Sequence, residues 1–180
     1  MTGQRTFDIV FALIGTIIFS PIWAVMAMAI WFHDRGSILF KQERLGKDFK
    51  PFGIYKFRTM KDEKITKPGQ WIRKTGLDES LQFINVLKGE MSLIGPRPIT
   101  QADREKLNWE KPRLDWRWRV KPGITGFAQI FEPLANKKSL AKDRWDIRNS
   151  SYLKRAIWLF LTILMNVFGK QRIRTKLAGN

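Results

Sequence analysis

Ile9-Val10-Phe11-Ala12-Leu13-Ile14-Gly15-Thr16-Ile17-Ile18-Phe19-Ser20-Pro21-Ile22-Trp23-Ala24-Val25-Met26-Ala27-Met28-Ala29-Ile30-Trp31-Phe32 is an unbroken run of 24 residues without a charge. Arg5 and Asp8 precede it, and His33, Asp34 and Arg35 follow it. As a straight helix it would be roughly 36 Å long, enough to cross a hydrocarbon core of about 30 Å. It does not read as a cleavable signal peptide, because the run is too long and no small-x-small site follows it. Ser20-Pro21 stands at its middle. Proline there removes a backbone donor and clashes with the preceding turn, so a kink is expected, with the Ser20 hydroxyl available to satisfy a freed carbonyl. Arg5 before the run, and Arg35, Lys41, Arg44 and Lys47 after it, make both ends cytoplasmic by the positive-inside tendency. The expectation is a re-entrant helix-break-helix. A single span that tolerates its proline is the plainer alternative.

The composition fits a membrane-bound reading. Lysine and arginine number 33 against 16 acidic residues, a formal charge of +17, which favours a polyanionic partner: nucleic acid, anionic lipid or a phosphate-bearing substrate. Eight tryptophans tilt the choice toward a membrane surface, where an apolar body meets a polar boundary. With no cysteine and a single histidine, His33, there is no disulfide framework, no thiolate chemistry, and little scope for a histidine-rich metal site or a Ser/His/Asp triad. Carboxylates and basic groups must carry any chemistry. The length of 180 residues suits one domain with a small appendage.

Outward from the apolar run, Ile54, Lys56 and Arg58 alternate with Tyr55, Phe57 and Thr59, a period of two that predicts a strand with one basic face. The bland alternative is a solvated edge strand. Lys61 to Gln70 reads as a polar loop punctuated by Pro68-Gly69. A helix is expected from Thr75 or Asp78, through Leu81, Ile84, Asn85 and Leu87, to Gly89, with Thr75 or Asp78 as its cap. Met91 to Ile94 is a short apolar stretch, Gly95-Pro96-Arg97-Pro98 a rigid turn presenting Arg97, and Thr100 to Glu110 a polar helical segment. Trp116-Arg117-Trp118-Arg119 could stack nucleic-acid bases or pack against a membrane or an active-site wall. Ala156 to Phe168, about 20 Å of helix, is too short to span; flanked by Lys154, Arg155, Lys170, Arg172, Arg174 and Lys176, it reads as a core or interfacial helix, with Thr162 and Asn166 on one side.

The stretch from Arg73-Lys74 to Gly95-Pro96-Arg97-Pro98 places two adjacent carboxylates, Asp78 and Glu79, between basic clusters. Neighbours on a helix point about 100° apart, so the two acids suit two different tasks. One could attack a phosphorus or hold its proton while the other binds a metal; an N-terminal cap with a dipole-satisfying acid is the structural alternative.

Taken together, Arg73-Lys74, Asp78-Glu79, Asn85-Val86-Leu87-Lys88-Gly89, Met91-Ser92 and Gly95-Pro96-Arg97-Pro98 resemble the signature of the bacterial sugar transferases, the monotopic phosphoglycosyl transferases. The resemblance extends to Ser20-Pro21, Phe40-x-Gln42-x-Arg44-x-Gly46, Tyr55-Lys56-Phe57-Arg58-Thr59-Met60 and Lys121-Pro122-Gly123-Ile124-Thr125-Gly126-Phe127-Ala128-Gln129, and more weakly to Asp143 and Asn149-x-Ser151. It implies an α/β, mainly helical fold, with residues 1–36 a kinked re-entrant membrane helix, residues 37–180 a cytoplasmic catalytic domain, and interfacial amphipathic helices. It implies transfer of a sugar 1-phosphate from a UDP-sugar to polyprenyl phosphate at the cytoplasmic face of the bacterial inner membrane, an anionic lipid surface, with no nucleic acid. Asp78 matches the nucleophile, which forms a covalent phosphosugar and releases UMP. Glu79 matches the residue associated with Mg²⁺; Lys56, Arg73, Arg97 and Lys121 match substrate-binding positions.

The chain departs from that pattern in three places. Ser80-Leu81 follows the acidic pair where the family has leucine and proline. Glu132-Pro133 replaces a Gly-Arg whose arginine is expected near the substrate phosphates, and Lys137 or Lys138 are its candidate substitutes. Arg155 stands where the family often has an acid. The competing expectation is a basic membrane scaffold that keeps the fold without the catalysis.

Overall fold

The computed structural model describes residues 3–132 and 135–168. Pro133 and the basic residues Lys170, Arg172, Arg174 and Lys176 lie outside them, as does the side chain of Asn166. Helix α1 spans Gly3–Asp34 with Pro21 inside it. No non-helical residue separates its two halves, so the helix runs on through Ser20-Pro21 where a helix-break-helix was expected. A proline at 21 cannot donate to the carbonyl of Ile17, four residues earlier. The Ser20 hydroxyl donates to that carbonyl instead, at 2.9 Å. The expected repair is therefore present.

One stripe of α1, Asp8, Ala12, Gly15, Met26 and Ile30, is buried against the rest of the chain. Most of the remaining surface, including Val10, Leu13, Ile14, Ile17, Ile18, Val25 and Met28, is exposed and apolar. Ala12 joins one core with Phe52, Ile54, Val86, Met91, Leu93 and Ile94, and Met26 and Ile30 join a second with Phe57, Ile72 and Leu81. Polar contacts pin the helix at both ends. The Arg5 guanidinium donates to the Val86 and Leu87 carbonyls at 2.6 and 2.9 Å, and the buried Asp8 carboxylate accepts from the Ser92 hydroxyl and the Leu93 amide at 2.9 and 3.0 Å. At the far end Asp34 pairs with Arg58 at 2.5 Å.

Strands β1 (Leu39–Leu45) and β2 (Pro51–Phe57) form an antiparallel hairpin with Leu39 opposite Phe57 and Leu45 opposite Pro51. Met60–Lys61 and Lys64–Ile65, β3 and β4, make a second, very short hairpin. The segment read as a loop around Pro68-Gly69 is the start of helix α2, Lys67–Thr75. Proline is tolerated in a first turn because its missing N–H would have no helical partner. Thr66 caps that turn, its hydroxyl accepting from the Gly69 amide at 3.1 Å.

Strand β5 (Ser92–Ile94) pairs in parallel with β6 (Gly123–Thr125), Ser92 against Gly123 and Ile94 against Thr125. Their loops approach so closely that a Cβ on Gly123 would lie 2.1 Å from the Gly95 nitrogen. Helix α4 (Gln101–Lys106) begins with a capping box between Thr100 and Asp103. A 3-10 helix, Pro112–Arg119, follows, and then α5 (Phe127–Phe131), α6 (Lys137–Arg148) and α7 (Tyr152–Phe168). Arg117 and Trp118 of the Trp-Arg run are buried, so this run packs inward and does not form an open stacking groove. Helix α7 is fastened by the Thr125–Thr162 hydroxyl contact at 2.5 Å and by Phe127 stacking on Trp158 at 5.0 Å, while Leu153, Ile157, Phe160 and Ile163 face outward.

Gly123→Ala forces its new methyl into backbone rather than into a flexible side chain. Thermal or denaturant unfolding in detergent should show a loss of about 1–3 kcal/mol or more, whereas unchanged stability would mean that the two loops can part without cost.

Candidate active site

Asp78 and Glu79 are not where a helix cap would put them. Helix α2 closes at Gly76, whose φ of 71° is left-handed and natural to glycine, and the chain then makes a 3-10 turn, Leu77–Glu79, before α3 begins at Gln82 (Gln82–Lys88). No side chain caps that turn or α3. Thr75, expected as a cap, donates its hydroxyl back to Ile72 at 2.9 Å. The structural alternative for the acidic pair thus loses its basis.

The turn brings both carboxylates beside β2. Lys56 Nζ lies 2.7 Å from Glu79 Oε1, so this lysine points at the acids rather than into bulk solvent; Arg58, expected on the same basic face, lies beyond the end of β2 and pairs with Asp34 instead. Asp78 is half-buried. Burial raises its carboxyl above the ordinary range and the Glu79 charge raises it further, with Lys56 and Arg73 pulling it back. Arg73 is held by donating to the Thr59 hydroxyl at 2.8 Å.

Glu79 and Lys56 open onto a cavity of about 410 Å³ that is also lined by Arg44, Arg97, Asp103 and Lys106. Burial depresses the Arg44 guanidinium, and Asp103, 3.3 Å from it, favours its charged form. Arg97 is set in place from behind. The buried Arg117 guanidinium donates to the Arg97 carbonyl at 2.7 Å and to Asp143 at 3.1 Å. On the other side of the same turn, Gln129 Nε2 donates to the carbonyls of Gly95 and Gly123, both at 3.1 Å.

Of the residues expected from sequence, Lys56, Glu79 and Arg97 line this cavity; Asp78 and Arg73 do not line it, and Asp78 stands next to Glu79 within electrostatic reach of both Lys56 and Arg73. Lys121 does not join them. It lines a separate cavity of about 290 Å³ with Gln4, Tyr152 and Arg155, beside the end of α3. Glu132, in the position of the expected glycine, is engaged by Lys142 at 2.7 Å and by Asn136 at 3.3 Å. Lys137, one candidate substitute for the absent arginine, lines yet another cavity. Arg44 and Lys106 are the cations that sequence reasoning did not assign to the site. Arg44 had a signal, since it stands in the Gln42-x-Arg44 motif; Lys106 had none.

The donor chemistry suits a hard cation of the Mg²⁺ type. Among the described residues no group of three or more acidic, histidine or cysteine side chains clusters for a metal. Mg²⁺ commonly takes one or two carboxylates and completes its shell with water and substrate phosphates. Glu79, 40% exposed at the cavity edge, offers such a carboxylate.

A family model described as "Bacterial sugar transferase" matches residues 1–170. The chain is 40% identical over 141 residues to the UDP-glucose:undecaprenyl-phosphate glucose-1-phosphate transferase of Escherichia coli K12, covering 71% of this chain and 30% of that protein. It is 35% identical over 195 residues to the UDP-N-acetylgalactosamine-undecaprenyl-phosphate N-acetylgalactosaminephosphotransferase of Aeromonas hydrophila, covering 98% and 44%. It is 37% identical over 177 residues to the uncharacterized sugar transferase EpsL of Bacillus subtilis, covering 91% and 86%. The chain therefore spans less than half the length of the first two relatives.

The Arg117–Asp143 pair is a buried device for fixing Arg97, and its halves are not separable. Asp143→Ala should cost about 3–5 kcal/mol in an unfolding measurement by stranding a buried cation. The double variant Arg117→Leu/Asp143→Leu should recover much of that loss.

Proposed function

We propose a specific reaction for this chain, which belongs to the bacterial sugar transferase family: transfer of a sugar 1-phosphate from a UDP-sugar to a polyprenyl phosphate, with release of UMP. Two relatives bear the names of transferases acting on undecaprenyl phosphate, one with UDP-glucose and one with UDP-N-acetylgalactosamine, so family membership leaves the sugar open. The observation that carries the reading is a half-buried carboxylate without a capping role, next to a second acid and a cavity walled by cations.

In this reading a carboxylate oxygen of Asp78 attacks the phosphorus that carries the sugar. The bond from that phosphorus to the bridging oxygen breaks, and UMP leaves with the oxygen. The result is a phosphosugar ester of Asp78. An oxygen of the polyprenyl phosphate then attacks the same phosphorus, the aspartyl bond breaks, and the carboxylate is regenerated as the lipid diphosphate sugar departs. Partial burial strips water from the nucleophile, and Arg97, Arg44 and Lys106 hold the phosphoryl oxygens so that anion can meet anion. Lys56 orients Glu79 and, with Arg73, keeps Asp78 ionised against the raising effect of burial. Glu79 would hold Mg²⁺, which supplies charge neutralisation of the diphosphate when bound.

A membrane-dipping anchor completes the proposal, with the active site at the cytoplasmic face of the inner membrane. Both ends of α1 are tied to the same folded body, Arg5 to α3 and Asp34 to Arg58, which is hard to reconcile with ends on opposite sides of a bilayer. The outward apolar faces of α1 and α7 supply the buried surface, α7 as an interfacial helix.

Asp78→Asn should lower Mg²⁺-dependent UMP release in detergent by at least about a thousandfold; near wild-type turnover would remove Asp78 as nucleophile. Because burial and the Glu79 charge raise the Asp78 carboxyl above an ordinary aspartate, the midpoint of the activity loss on acidification should lie above the value of about 3.9 expected for an unshifted carboxylate. With single cysteines introduced at Gln4 and at Arg35, a membrane-impermeant maleimide added from the periplasmic side should label neither; labelling of one alone would establish a through-going span.

A further inference from the structure

Across Leu107 from the Glu79 cavity, α6 and the 3-10 helix Pro112–Arg119 help enclose a larger space of about 790 Å³. Lys111, Arg113, Lys137, Arg144 and Arg148 line it, and no carboxylate does. Among the described residues none of these five cations forms an ion pair. Like charges gathered around a water-filled hollow repel one another, and an entering anion relieves all of them together. The contrast with the Glu79 cavity is chemical. That cavity carries Glu79 and Asp103 among its cations and suits a diphosphate with a metal, whereas this one suits a lone anion.

Its walls also include Trp109, Trp116 and Trp145. The Arg144 guanidinium lies over the Trp116 ring at 4.9 Å. Trp145, 43% exposed, leads from the cavity to the proposed membrane surface. Lys154, on the first turn of α7, lies over its ring at 4.6 Å, and Tyr152 of the same turn is 6.2 Å from Phe7 of α1. From that junction the outward apolar faces of α7 and α1 extend. The cavity thus stands at the margin of the apolar surface, where tryptophan and basic side chains meet lipid headgroups.

We propose that this cavity holds the phosphate of an anionic phospholipid headgroup. The proposal rests on the membrane-bound reading above and is independent of the nucleophile. It is tested by native mass spectrometry of the full chain released from neutral detergent, with phosphatidylglycerol, phosphatidylcholine, inorganic phosphate or a short single-stranded DNA added. Arg144→Gln/Arg148→Gln removes two exposed charges that lie outside the reaction site. Wild-type protein should retain phosphatidylglycerol in preference to phosphatidylcholine, and the double variant should hold it about tenfold or more weakly while releasing UMP at the wild-type rate. Equal retention by the variant, equal retention of the two lipids, or binding of inorganic phosphate or DNA without phosphatidylglycerol would overturn it. Loss of UMP release with lipid retention intact would count against the reaction and leave this site standing.

Discussion

Helix α1 carries two kinds of surface that cannot both face water. Its buried stripe completes two cores of the folded body, Ala12 in one and Met26 with Ile30 in the other, and its opposite side is almost wholly apolar. Removing the helix would open both cores; leaving it in water would expose a patch far beyond what monomeric proteins tolerate. The charged ties at Arg5, Asp8 and Asp34 then fix the helix along its length to the body that carries Asp78 and Glu79. In the proposed topology the distance between lipid and nucleophile is therefore set by side chains, and a lipid phosphate can reach the acids without any large motion.

The same attachment reaches the site directly. Trp23 in the middle of α1 donates to the Ser80 hydroxyl at 2.8 Å, one residue beyond the acidic pair. Phe83, on the first turn of α3, packs so tightly on Gly15 that a Cβ there would lie 2.8 Å from the ring. Ser80 stands where the sequence resemblance implied a leucine, and its hydroxyl accepts a bond that leucine could not. The side chain at that position is thus engaged by α1 rather than by the Glu79 cavity.

Much of this was legible in sequence because it is local. A run of 24 uncharged residues can only be buried or membrane-bound, and a proline within it leaves one identifiable carbonyl, which Ser20 takes. The period-two pattern through Lys56 predicted the strand and the outlook of Lys56, but not that Arg58 would lie beyond the strand and pair with Asp34. What was missed depends on tertiary contact or on ambiguous punctuation. Pro68-Gly69 marks a turn or a helix start with equal force, and only Thr66 and the packing of Gly69 decide it. The 3-10 turn of Asp78 follows from Gly76 adopting a left-handed φ, which composition does not announce. Arg44, Lys106 and the Arg117–Asp143 support of Arg97 come from segments far apart in the chain, and Lys121, itself a matched motif residue, turns toward Gly89 instead of the acids.

The central claim is that a partly desolvated carboxylate, in a 3-10 turn between two helices, becomes covalently joined to the sugar phosphate before the lipid is engaged. Intact-protein mass spectrometry of the wild-type chain with a UDP-sugar and Mg²⁺ but no polyprenyl phosphate tests it most directly. The account predicts one sugar-phosphate adduct per chain, mapped to Asp78 by fragmentation and discharged when polyprenyl phosphate is added. UMP release that requires the lipid from the outset, with no adduct under conditions of turnover, would contradict it.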